Sequence, residues 1–199
     1  MMPTMNNNIT VTRKQQIALT AMQIISEEGL NNFAMIKIAN RIGVTDSALY
    51  KHFKTKNEML GFMVEMIEQA IKKSVFAKIV DIQDPIEKLY TIMNLQFKFL
   101  EENKGIPRIL FWESLQQEHN VLKVKIAKII LNFREVIKNI IKSAVKSGII
   151  KEKIDAEAAA QIYIGMIQST IIFWTLSDFS YSLKDKQKSL WHEYRKIIR

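Results

Sequence analysis

Between residues 33 and 60 the sequence reads FAMIKIANRIGVTDSALYKHFKTKNEML. It crowds Thr45, Asp46, Ser47, Tyr50, Lys51, His52, Lys54 and Lys56 into twelve consecutive positions. Hydroxyls, an imidazole and ammonium groups of this kind contact phosphate oxygens, and short polar side chains reach base edges. Their spacing gives the direction in which they point. If Leu49 and Phe53 face inward one helical turn apart, then Asp46, Ser47, Tyr50 and parts of Lys51 and His52 face out. This is the chemistry of a DNA reader.

The elements that must position these groups can be read beside them. Ala39, Gly43 and Leu49 predict two short helices joined by a tight turn: a small residue allows close approach, glycine takes the turn geometry, and leucine pins the second helix. Ile38, Ile42, Val44 and Phe53 complete the buried side. Thr45 is placed to cap the second helix, with 45–53 as the groove-entering segment, and Thr55 with Glu58 predicts a reciprocal capping box for the next one.

The string IANRIGVTDSALYKHFKTKNEML resembles the DNA-binding signature of the TetR (tetracycline-repressor-like) family of bacterial transcriptional regulators, matching glycine-valine-threonine, leucine-tyrosine, histidine-phenylalanine and threonine-lysine at fixed offsets. The resemblance implies Asp46 and Ser47 against base edges and Thr45, Tyr50, His52 and Lys56 on phosphates, with Lys51 and Lys54 as further contacts. It also implies a homodimer formed through the last two helices, and a small effector held in the C-terminal domain. Two departures precede the reader. Ala34 stands where the family places a serine or threonine cap, so either Asn31 or Asn32 caps instead or the phosphate contact that the resemblance implies there is weakened; Ile36 and Lys37 stand where an arginine and an acidic residue are common.

The 199 residues are 48% hydrophobic and 25% charged, with six glycines and three prolines, and apolar residues recur at helical spacing throughout. The fold class expected is all-α: an N-terminal three-helix helix-turn-helix DNA-binding domain and a C-terminal helical ligand-binding and dimerisation domain, about nine helices in all. The division expected is a disordered arm at 1–9, the DNA-binding domain at 10–55, a connecting helix at 56–80 and the C-terminal domain at 81–199. No cysteine is present, which excludes disulfides and thiolate metal sites. The net charge of +9 and pI of 9.6 agree with a polyanionic partner. The polar N-terminus shows no signal-peptide pattern, and no apolar run is expected to span a bilayer, so the expected location is cytoplasmic, without membrane attachment.

Thr12 with Gln15 opens a first helix ending at Gly29, with Arg13 and Lys14 near its start within reach of a phosphate backbone. A helix over 56–78 carries Leu60, Met63, Ile67 and Ile71 and links the reader to the rest. Asp84, Pro85 and Glu87 start another, and Pro107 opens a short one through Trp112. A long segment over 118–148 has a lysine stripe without interleaved aromatics, which fits a solvated face. Asp155 caps the helix at 155–176, nearly apolar all round. A final helix at 183–198 offers Leu183, Leu190, Tyr194 and Ile197, and these two form the expected dimer bundle.

Phe62, Met66, Phe97, Phe111, Trp112, Phe133, Met166 and Trp174 are the candidates for contacting an apolar or amphipathic effector. His52, His119 and His192 are too far apart for a helical metal pair, and no catalytic constellation is visible, so no metal, cofactor or enzyme activity is expected. The function expected is a repressor that binds palindromic operator DNA as a homodimer and is released by the effector. The alternative is a DNA-bound scaffold whose C-terminal domain binds a protein.

Overall fold

The computed structural model describes residues 11–29, 32–115 and 120–198, with the side chains of 112–121 outside that set. The arm expected at 1–9, the cap expected from Asn31, His119 and the Trp112 side chain therefore lie outside the described residues. Among the described residues there are nine α-helices and no strand: α1 (Arg13–Glu28), α2 (Met35–Ile42), α3 (Asp46–Tyr50), α4 (Lys56–Ser74), α5 (Pro85–Glu102), α6 (Gly105–Leu115), α7 (Asn120–Lys146), α8 (Ala156–Leu176) and α9 (Leu183–Ile198). A short 3-10 turn, Phe76–Ile79, follows α4, so the connecting helix ends at Ser74 rather than running to 78.

The helices form two compact units, one of the described residues up to Gln69 with those of Glu102–Ile126, the other of Ala70–Glu101 with residues 127–198. In the first unit α1 has the expected capping box, Thr12 Oγ1 accepting from Gln15 N at 3.2 Å while Gln15 Oε1 accepts from Thr12 N at 2.9 Å. Its core is Ile17, Ala21, Ile24 and Ile25 from α1, Ile38 and Ala39 from α2, Leu49, Phe53, and Leu60, Met63 and Ile67 from α4, all nearly inaccessible. The α2–α3 turn closes at Gly43 with φ 73°, a left-handed conformation that costs a residue bearing Cβ.

The described residues of 102–126, which the sequence groups with the C-terminal half, fall in one unit with the N-terminal helices. A Cβ on Gly105 would meet the carbonyl oxygen of Met22 at 2.6 Å, so glycine allows α6 to lie directly on α1. Arg108 Nη1 donates to the carbonyls of Ile25 and Ser26 at 3.2 and 3.0 Å, sharing the Ile25 acceptor with the Gly29 amide at the end of α1. α6 begins two residues before Pro107, because a proline in the first turn removes an N–H that would have no helical partner there.

In the second unit α5, α7, α8 and α9 share a core. Tyr163 donates to the Leu89 carbonyl at 2.7 Å and Tyr194 to the Ala159 carbonyl at 3.0 Å, and their rings meet edge-on at 5.3 Å. Burial pushes both phenols above their ordinary pKa. Asp155 caps α8 as expected, accepting from Glu157 N and Ala158 N. The Glu157 carboxylate meets Arg134 at 3.4 Å and Lys138 at 3.1 Å, which assigns part of the α7 basic stripe to ion pairs within the fold.

Two expectations about the last helices need correction. The buried side of α9 runs through Leu183, Gln187, Trp191, Tyr194 and Ile198, which keeps Leu183 and Tyr194 of the expected stripe, while Leu190 is half-buried and Ile197 is 45% exposed. Ala156–Leu176 is also long and apolar enough, by length and composition, to cross a membrane. Its Tyr163, Ile167 and Trp174 are instead buried in the second unit.

Candidate nucleic-acid interface

Thr45 Oγ1 accepts from Ala48 N at 3.3 Å and starts α3, while Leu49 and Phe53 are 0% exposed and fix its inner side. The opposite side presents Thr45, Asp46, Ser47, Tyr50 and Lys51 to solvent, with His52 half-buried. The helix is shorter than the expected 45–53. It ends at Tyr50, and His52 N and Phe53 N both donate back to the Leu49 carbonyl, at 2.9 and 3.1 Å, in the turn that brings Phe53 into the core. One turn and a half of helix therefore carries the polar set, held from below by two buried anchors.

The cationic candidates differ in how committed they are. Lys54 is exposed, and Arg13 reaches only Gln16 Oε1 of its own helix at 3.1 Å. Lys56 Nζ lies 4.9 Å from the centre of the Phe33 ring, close enough for a cation–π contact. Lys14 is engaged inside the unit. Its ammonium pairs with Glu58 at 3.2 Å and sits 4.8 and 5.2 Å from the Phe53 and Phe62 rings. Sequence spacing placed Lys14 near a backbone but could not show that an acid 44 residues later would meet it.

Glu58 departs from the reciprocal box. Its backbone N donates to Thr55 Oγ1 at 3.0 Å, but its carboxylate accepts from Lys54 N at 2.8 Å, one residue further back than the expected Thr55 amide. The Lys54 amide, with Lys14 adding to it, holds this carboxyl below its ordinary pKa. The start of α4 is thereby tied to α1 and to the residue just after the reader.

The first turn of α2 confirms one departure and corrects another expectation. Ala34 is the N-cap and no side chain caps the helix. Asn32 does not substitute for it, because its Nδ2 donates to the Glu28 carbonyl and its Oδ1 accepts from Lys37 Nζ, both at 2.8 Å. Lys37 also pairs with Glu28 at 3.0 Å, and Arg41 spans Glu27 and Glu28 at 2.8 and 3.0 Å. Hydrogen bonding to Arg41 lowers the Glu27 pKa and raises that of the guanidinium. An ion-pair cluster holds α2 against the end of α1 in place of a cap. Arg41 and Arg108 were missed by the sequence reading; basic residues one helical turn from a cap or a glycine were the available signal.

The effector candidates are spread over both units. Phe97, Phe133 and Trp174 are buried in the second, where Trp174 Nε1 donates to the Tyr181 carbonyl at 2.7 Å and Phe133 meets Phe76 at 5.1 Å between ring centres. Phe62, Met66 and Phe111 of the first unit and Met166 of the second are half-buried.

A capped, anchored recognition helix in a helix-turn-helix, followed by a helical C-terminal unit, defines a DNA-binding transcriptional regulator. The model of bacterial regulatory proteins of the tetR family matches residues 17–61, and that of the C-terminal region of YsiA-like proteins matches residues 56–195. The chain belongs to the tetR family of bacterial regulatory proteins. It is 30% identical to the fatty acid metabolism regulator protein of Bacillus subtilis (strain 168), over 84% of this chain and 86% of that one. It is 29% identical to the nucleoid occlusion factor SlmA of Vibrio campbellii, over 86% and 88%. Among solved structures it resembles the transcriptional regulator FadR from Bacillus subtilis in complex with stearoyl-CoA, with TM-score 0.76 and 27% identity over 90% of this chain and 96% of that one.

Proposed function

We propose that this regulator is a cytoplasmic repressor that binds a palindromic operator as a homodimer and leaves it when a long-chain acyl thioester of coenzyme A binds its C-terminal part. The observation that carries the DNA part is the outward set Thr45, Asp46, Ser47 and Tyr50 above the fully buried Leu49 and Phe53. In this reading Asp46 and Ser47 meet base edges. Thr45, Tyr50, Lys51, His52, Lys54, Lys56 and Arg13 meet phosphates, and Lys14 positions α1 against α4 instead of contacting DNA directly. Two recognition helices about one DNA turn apart, roughly 34–36 Å, require two half-sites in inverted repeat.

The dimer part is supported by an apolar stripe along α8, where Ile162, Phe173 and Leu176 are 41%, 66% and 67% exposed on the side turned away from the buried Tyr163 and Trp174. A second copy is the occupant that such a self-complementary stripe fits. The effector class is supported by the acyl-CoA held by the Bacillus subtilis regulator. Half-buried Phe62, Met66 and Phe111, all of the first unit, are the side chains proposed to touch the acyl chain, being apolar and not closed into a core.

Gel-shift titration on promoter DNA of the chain's own gene, with and without stearoyl-CoA, tests both parts. Release by stearoyl-CoA but not by free coenzyme A is the expected result. DNA binding indifferent to every acyl-CoA would overturn the effector part and favour a C-terminal domain that binds a protein.

A further inference from the structure

The exposed residues of α2 fall into two rows. Lys37 and Arg41, four positions apart, turn toward the end of α1, where Glu27 and Glu28 hold both. Ile36 and Asn40 form the neighbouring row, on the flank away from α1. That flank adjoins Ala39, which is 0% exposed and whose carbonyl accepts from Val44 N at 3.0 Å as the chain turns into α3. Ile36 thus stands at the start of α2 on the side from which the reader departs.

Its side chain is 56% exposed. Among the large apolar side chains described between residues 11 and 69, only Ile36 and Tyr50 are exposed, one on each helix of the helix-turn-helix. An isoleucine has no hydrogen-bonding atom for a phosphate or a guanine edge. The apolar group that DNA offers in the major groove is the 5-methyl of thymine. The two cations beside it are already held by carboxylates of α1, which leaves the aliphatic group as the group of this turn without an ionic commitment.

Resting on the reading that this unit docks in the major groove, we propose that Ile36 is a specificity-determining residue that contacts a thymine methyl at the flank of each half-site. Thymine is preferred there because its methyl group covers the isoleucine. Cytosine or guanine at that position would present polar edge atoms to a side chain that cannot bond them.

The test starts by selecting the operator from random duplexes with the full-length protein, then replaces its thymines one at a time by deoxyuridine, which removes only the methyl group. One position per half-site is expected to weaken wild-type binding by about three- to fivefold, the effect of one buried methyl. Ile36→Ala, which alters both protomers, should bind the unmodified operator about as weakly as wild type binds a duplex carrying deoxyuridine at that position in both half-sites. It should no longer respond to deoxyuridine at that position, and the salt dependence should be unchanged because no phosphate contact is lost. Ile36→Ala that keeps wild-type affinity and the same deoxyuridine response would overturn the proposal while leaving the DNA reading intact. So would a variant that loses self-association instead, since Ile36 would then cover a second copy. Failure of wild type to select any duplex would overturn both.

Discussion

Phe173→Glu is the sharpest test of how two copies associate. The ring is 66% exposed in one chain, and Leu176 beside it is 67% exposed. A phenylalanine presents on the order of 200 Å² when free, so about 130 Å² remains to be covered. At about 25 cal/mol per Å² this is about 3 kcal/mol per copy, and about 6 kcal/mol for a symmetric pair. Removing it weakens self-association by about four powers of ten, and the carboxylate adds a desolvation cost to that. Sedimentation velocity at micromolar concentration should then show wild-type dimers and variant monomers, with the far-ultraviolet circular dichroism unchanged. Trp174→Glu, one residue on, is expected to act differently: Trp174 is 1% exposed and bonded to the Tyr181 carbonyl, so its loss unfolds the second unit. A Phe173→Glu protein that sediments as wild type would refute the assignment of the α8 stripe.

Tyr50→Ala should leave the thermal midpoint nearly unchanged, because the ring is 48% exposed, yet abolish the gel shift at concentrations where wild type is saturated. Gly43→Ala should lower stability by about 1–2 kcal/mol, read in urea unfolding, since the strain is conformational: no atom lies within 4 Å of the added Cβ. In the fold the Glu58 carboxyl titrates below its ordinary range, owing first to the Lys54 amide and then to Lys14. Its contribution is therefore present above the ordinary carboxylate value and is lost as pH falls through the folded one. Melting curves taken at successive pH values on the acid side should flatten in Glu58→Gln relative to wild type.

The reader was legible in sequence because its signals are local. Leu49 and Phe53 fix a face by their spacing, Gly43 marks the turn, and Thr45 finds its amide three residues on. What the sequence could not show were partners set by packing. Lys14 read as a free cation until Glu58 stood against it, and Asn32 read as a cap until Lys37 and Glu28 engaged both ends of its amide. Trp174 stood among the effector candidates and is core, since an aromatic on an all-apolar helix has no periodicity to tell its two sides apart.

The grouping of α6 shows the same limit and alters the route from effector to DNA. Spacing made the helix from Lys56 the one continuous link to the reader, because it is the element that follows the helix-turn-helix in the chain. Packing adds another, since Gly105 and Arg108 fasten α6 to the backbone of α1 at Met22, Ile25 and Ser26. α1 in turn holds α2 through Glu27 and Glu28, and α2 leads directly into α3. A shift of α6 would therefore be carried to the recognition helix through hydrogen bonds and ion pairs that do not pass through α4. Backbone contact resists sliding more than side-chain contact does, because a helix packed through a glycine has no rotamer with which to absorb a displacement. An effector whose binding displaces α6 would therefore bias the reader by a route additional to α4.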